Sequence, residues 1–82
     1  PFKMSKINIP KGIYKHFKGH VYKVIGIAKH SETLEEQVVY VSISDETDIW
    51  VRPATMFLDT VERDGNRFQR FEFLGKSIAD IE

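Results

Sequence analysis

The chain has 82 residues, no cysteine, and twelve basic side chains matched by twelve acidic ones. A length this small is expected to make one domain over residues 1–82, with neither disulfides nor thiolate metal sites to supplement the core, so burial must supply a total stability of roughly 4–12 kcal/mol. No apolar stretch approaches the roughly 20 residues that span a bilayer and no signal-peptide pattern opens the chain, so the expected compartment is the cytoplasm, without a membrane partner.

The charge is uneven although the sum is zero. Residues 1–30 hold seven lysines and no Asp or Glu, while residues 31–62 hold eight acids and a single base, Arg52. This asymmetry fits a nucleic-acid face. It also fits strands whose charges neutralise across a ladder, the reading preferred for a neutral chain.

Residues 1–11 show no periodicity and read as an extended lead-in. Gly12 to Phe17 suits a short strand, closed by a tight turn at Lys18-Gly19. His20 to Lys29 is rich in β-branched residues. Alternation puts Tyr22, Val24, Gly26 and Ala28 on one face and Lys23, Ile25, Ile27 and Lys29 on the other, with Gly26 marking a bulge or a close backbone approach. Residues 30–36 form a connection, Gln37 to Ser44 a strand, and Ser44 to Asp48 a polar turn. Ile49 to Arg52 is a short strand stopped by Pro53, which opens a helical turn over Pro53–Leu58. Asp64-Gly65-Asn66 signals a turn between Thr60–Arg63 and Arg67–Phe73. Residues 74–82 are expected as a short closing helix or a tail.

These elements predict a mostly β domain: a small SH3-like antiparallel barrel or strongly bent sheet of five to six strands with one short helical turn. Closure or bending is also the simplest way for so short a chain to hide strand edges.

The run GIYKHFKGHVYKVIGIAKHSETLEEQVVY, followed by WVRPATMF and the spaced Val61, Gly65, Arg70 and Phe71, resembles the bacterial domain-of-unknown-function family 1653 over about residues 12–73. The resemblance implies a compact bacterial domain. It implies no activity and carries over no catalytic residue.

Three constellations carry candidate chemistry. His16 and His20 stand four apart, the interval that aligns two metal ligands on a helix. Lys18-Gly19 lies between them in a strand–turn–strand context, and His30 adds no recognised spacing, so neither a metal nor a cofactor is expected. His30-Ser31-Glu32 offers the residue types of nucleophilic catalysis. Consecutive residues of an extended chain point to opposite faces, however, so adjacency argues against a triad. Ser31 and Thr33 are suited to accept backbone N–H groups, with Glu36 three residues after Thr33 as in a capping box. A capped turn is therefore preferred and no catalytic residue is assigned, although a connection this long is also the leading site loop.

In WVRP, Trp50 and Arg52 share one face and Ile49 and Val51 the other. One reading makes Ile49 and Val51 core, with Trp50 partly packed and Arg52 solvated. The other sets the Arg52 guanidinium beside an aromatic plate, to grip a carboxylate, phosphate or base edge or to pair with Glu32 or Glu35. Aromatic residues interleaved with bases in the first third (Tyr14, Lys15, His16, Phe17, Lys18, Tyr22, Lys23) resemble a stacking platform for single-stranded nucleic acid. Ten aromatics in the chain must also build the core.

The expected function is non-catalytic binding, in a groove lined by His16, Lys18, His30, Glu32, Tyr40, Trp50 and Arg52. Its partner would be a protein segment or a small anionic, nucleotide-like ligand. Two alternatives stand beside it: an enzyme or enzyme accessory using His30 and Glu32 as acid and base, and a nucleic-acid-binding small barrel. The sequence carries no symmetry signal for an oligomer.

Overall fold

The computed structural model describes residues 9–81, so most of the expected lead-in lies outside the described residues. Seven strands and two short helices follow in chain order: β1 Gly12–His16, β2 Val21–Lys29, β3 Glu36–Ser42, β4 Asp45–Pro53, α1 Ala54–Phe57, β5 Thr60–Arg63, β6 Asn66–Gln69, β7 Phe71–Gly75 and α2 Ile78–Ile81. The domain is mostly β. Five strands form one antiparallel sheet in the order β4-β3-β2-β1-β7, and β5 and β6 form a separate two-stranded ribbon. The larger sheet is open, with β4 and β7 as its edges. No helix among the described residues is long and apolar enough to cross a membrane.

The sheet curls toward one face. Tyr40 on β3 and Phe71 on β7 lie three inter-strand steps apart, roughly 14 Å in a flat sheet, yet their ring centroids are 5.4 Å apart. The curl comes from ladder irregularities at Ile13/Tyr14, Val24/Gly26 and Val41/Ser42, since an extra residue in one strand bends it and raises its twist. Phe57 fills the enclosed space. Stopped by Pro53, the chain turns into α1 and sets the Phe57 ring flat on Phe71 at 4.2 Å and edge-on to Tyr14 and Tyr40. Ile9, Tyr14, Val24, Val38, Tyr40, Ala54, Phe57 and Phe71 make up this core. Ile13 and Val41 are buried on the opposite face, with Lys23 between them in the ladder.

Several expectations need correction. The strand after Ser44 is longer than expected: the turn is confined to Ile43-Ser44 and β4 begins at Asp45. Polar composition misled there because an edge strand tolerates charge, and residues 46–48 bulge out between the Val41↔Ile49 and Ser42↔Asp45 rungs. Gly26 does mark a bulge, with Val24↔Tyr40 followed by Gly26↔Val39. The extra residue, Ile25, reverses the alternation beyond it. Ile27 therefore opposes Val38 and shares the face of Val24, the reverse of the simple period-two assignment. Ile49 and Val51 are not core but 60% and 61% exposed. Arg67–Phe73 is not one strand: it divides at Arg70 into β6 and β7, and β7 runs on to Gly75, while the short closing helix expected after it is α2. The Asp64-Gly65 turn is as expected, with φ of 53° and 79° at the two positions, the left-handed pair that a two-residue hairpin requires.

Candidate functional site

His16 closes β1 and opposes Phe71 of β7. Its ring packs edge-on against Phe71 at 4.9 Å and beside Phe17 at 4.6 Å. A tight turn follows, with Gly19 at φ 106° and backbone bonds from His16 N–H to His20 O and from Gly19 N–H to His16 O, both 2.7 Å. Within it the Lys18 backbone N–H donates to His16 Nδ1 at 3.1 Å. With Nδ1 accepting, the proton of the neutral ring sits on Nε2, a tautomer assigned from this hydrogen bond. Burial and then the positive charges of Arg70, His20, Lys18 and Arg52 hold the His16 pKa below its ordinary value. Three of these neighbours, Arg70, Lys18 and Arg52, are permanent cations, and Arg70 is itself paired with Asp59.

One flank of His16 is aromatic. Tyr40 meets Tyr22 edge-on at 5.1 Å, Tyr22 lies 6.0 Å from Phe71, and His20 lies 6.5 Å from Tyr22. Burial raises the Tyr40 pKa, opposed by the nearby charge of Arg52. Trp50 opposes Tyr40 in the ladder and is 48% exposed, while Arg52 opposes Val38. The Arg52 Nε is buried without a hydrogen-bond partner, and the one ion pair among the described residues is Arg70–Asp59. The expected pairing of Arg52 with Glu32 or Glu35 is therefore not formed.

The other flank is an open cleft of about 340 Å³ between β1, β6 and β7, lined by Lys15, His16, Phe17, Arg67, Phe68, Gln69 and Glu72. The Arg63 guanidinium lies over the Phe17 ring at 5.4 Å and the Lys18 ammonium at 6.0 Å.

Of the seven groove residues expected from sequence, His16, Lys18 and Arg52 are linked through the charges acting on His16, Tyr40 through Arg52, and Trp50 through its rung with Tyr40. His30 and Glu32 stand apart from them, exposed at the β2–β3 tip. There His30 Nδ1 accepts the backbone N–H groups of Glu32 at 3.0 Å and Thr33 at 3.2 Å, and Thr33 Oγ1 accepts that of Glu35 at 3.2 Å. Backbone bonds between His30 N–H and Glu35 O, and between Leu34 N–H and His30 O, complete a capped loop. With its Nδ1 engaged by backbone and neither residue lining the cleft, His30 and Glu32 lack the converging geometry of an acid–base pair. Among the described residues no group of three His, Asp or Glu is placed to hold a metal ion.

Sequence reasoning sets Phe17 and His20 beside His16 only as a stacking ring and a candidate metal ligand, and misses Arg67, Phe68 and Arg70. The interleaved aromatics and bases signalled Phe17. Arg67, Phe68 and Arg70 reach the site through the pairing of β1 with the distant β7, for which no local signal exists.

These features define a curled, mostly β domain with a cluster of basic and aromatic side chains at the end of its first strand. The family model for proteins of unknown function DUF1653 matches residues 12–73, and the chain belongs to that family. A similar solved structure is the crystal structure of a DUF1653 protein from Bordetella bronchiseptica, 27% identical, with a TM-score of 0.77 over 87% of this chain and 94% of that one. No curated protein matches the chain.

Proposed function

We propose that this domain is a non-catalytic binding module, an SH3-like curled sheet that takes a small anionic, nucleotide-like ligand at His16. The observation that carries the reading is the open cleft at His16, lined by Lys15, Arg67 and the Phe17 and Phe68 rings with Arg63 and Lys18 over Phe17, and the lowered pKa of His16 points the same way. Arg70 is matched by Asp59, so the charges left for an anion beside the imidazole are chiefly those of Lys18 and Arg52, whose mutual repulsion it would relieve. A phosphate group would accept the Nε2 proton of His16 and the charge-assisted donors of Lys18 and Arg52, each bond contributing about 1.5–3 kcal/mol. The planar part of the ligand would stack on an exposed ring, Trp50 on one flank or Phe68 on the other, at about 1–3 kcal/mol per base.

A nucleic-acid strand is the less favoured form of this ligand. Lys15 opposes Glu72 and Arg67 opposes Glu62 in their ladders, so the cleft beside His16 is partly neutralised.

The test is an NMR titration of the full chain with adenosine 5′-monophosphate, and separately with inorganic phosphate. Shifts at the His16, Lys18 and Gly19 amides with both probes, together with quenching of Trp50 or shifts at Phe68 by the nucleotide alone, are expected. Lys18→Ala should weaken binding about tenfold. A folded protein unperturbed by either probe at millimolar concentration would remove the reading.

A further inference from the structure

Among the described residues nothing pairs with the outer side of β4, which shows solvent Ile49, Trp50 and Val51 in succession. Such an edge is a template for another strand, and natural edges are usually blunted by charge, bulges or covering segments. Here the blunting is confined to the first half, where Asp45, Glu46 and Asp48 carry charge and residues 46–48 leave the ladder. The stretch from Ile49 onward carries only Arg52 before Pro53.

We propose that β4 pairs antiparallel with β4 of a second copy of this chain, about a two-fold axis at Trp50, joining two five-stranded sheets into one. The strand is self-complementary in this register. Ile49 falls opposite Val51 twice and the two Trp50 rings meet at the axis, while Asp48, where the strand leaves its ladder with β3, falls beside Arg52 of the other copy. Opposite charges thus lie across from each other on both sides, as an isologous interface demands. The Asp48 carboxylate has no hydrogen-bond or ion-pair partner among the described residues, which leaves it available for this role.

Existing rungs continue across the seam. Val41 opposes Ile49 and Val39 opposes Val51 within one copy, so pairing creates the rows Val41–Ile49–Val51–Val39 twice, covering the apolar side chains most exposed on β4. On the other face the row is Tyr40–Trp50–Trp50–Tyr40. Neighbouring registers lose this match. Centring on Ile49 sets Asp48 against Trp50 and loses both Ile49–Val51 rungs. Centring on Val51 brings Pro53, which has no N–H to donate, against Ile49 and carries α1 into the seam. Pro53 also shares the alternation of Ile49 and Val51, the set that must point outward, where a proline is tolerated.

The test is sedimentation of the full chain across a wide concentration range, alongside the emission of its single tryptophan. A dimer whose formation shifts Trp50 emission to the blue is expected. Ile49→Lys with Val51→Lys puts like charges on both central rungs and should leave a folded monomer, checked by circular dichroism. Ile49→Lys with Val51→Glu puts opposite charges on the same rungs and should restore the dimer. A wild-type chain that stays monomeric up to its solubility limit, a Lys/Lys variant that still dimerises, or a Lys/Glu variant that does not, each overturns the proposal. None of these readouts depends on a ligand at His16.

Discussion

Arg70 and Asp59 hold each other twice. Arg70 Nε donates to Asp59 Oδ1 at 2.7 Å, and the Arg70 backbone N–H donates to the Asp59 carbonyl at 3.0 Å. The Arg70 carbonyl in turn accepts the Phe17 N–H at 3.0 Å, so the pair fastens the β5–β6 ribbon to the turn after His16. Both side chains are partly shielded, at 23% and 34% exposure. Asp59→Ala should cost about 1–3 kcal/mol, because it strands a partly buried guanidinium. Urea unfolding measures the loss, and hydrogen exchange at Phe17 should quicken with it. Unchanged exchange there would mean that the pair does not fasten the ribbon.

Gly12 answers to sterics rather than charge. Its φ is 146°, and a Cβ at this position would lie 2.5 Å from the Gly75 carbonyl oxygen, across the junction of β1 and β7. Gly12→Ala is expected to destabilise by about 1–3 kcal/mol, through backbone strain and separation of the two strands. Gly26→Ala is the control: a Cβ there meets nothing within 4 Å and the backbone is not left-handed. It should be neutral or stabilising by up to about 1 kcal/mol. Equal thermal midpoints for the two variants would contradict the packing described.

How much of this was legible in the sequence follows from the range of the interactions. Local signals worked: Lys18-Gly19 and Asp64-Gly65 made their turns, Gly26 its bulge, and Pro53 the change from strand to helix. The loop at residues 30–35 is capped by bonds spanning two or three residues, with the Thr33 hydroxyl accepting as expected and the His30 imidazole accepting in place of the expected Ser31. What failed depended on partners far along the chain. The exposure of Ile49 and Val51 follows from β4 being an edge, and edge status is fixed by which strands pair, not by the composition of β4. The face of Ile27 failed for a different reason, because one bulged residue shifts every later side chain. Arg70 reaches His16 only because β7 lies beside β1, a pairing that no local signal in the sequence announces.

Tyr14 predicts alkaline sensitivity. Burial pushes its pKa from 10.0 up to about 12, and its hydroxyl donates to the Pro10 carbonyl at 2.8 Å. The folded chain therefore keeps a proton that the unfolded chain gives up. Stability is complete below 10 and is lost as pH rises toward the folded pKa, by about 2–3 kcal/mol from this group. Tyr40, also raised by burial, adds in the same direction. Tyr14→Phe should cost about 1 kcal/mol at neutral pH, and its urea midpoint should fall less steeply between pH 10 and 12 than that of the wild type.

His16 predicts the opposite dependence at the acid end. Its folded pKa lies below the ordinary 6.5, so the unfolded chain protonates first. The contribution of His16 is complete above 6.5 and is lost as pH falls through the window below it. An anion bound beside the ring favours the protonated form, so inorganic phosphate should bind more tightly as pH drops through the same window and should raise the His16 pKa measured by NMR. His16→Gln should flatten both dependences. Phosphate affinity independent of pH in this range would remove His16 from the site.

Arg52 sets stability against binding. Its Nε is buried with no hydrogen-bond partner, and an unsatisfied buried donor costs about 1–3 kcal/mol. Methionine keeps an unbranched apolar stem and removes the polar atom. Arg52→Met should therefore stabilise the ligand-free chain, and a gain of about 1 kcal/mol would raise the Tm by about 4–8 °C for a domain of this size. The same substitution removes one of the cations acting on His16, so binding of adenosine 5′-monophosphate should weaken about tenfold. Opposite movement of the two measurements is the signature of a residue retained for binding at the expense of stability. A variant that melts earlier and binds the nucleotide as well as the wild type would show Arg52 to be a packing residue instead.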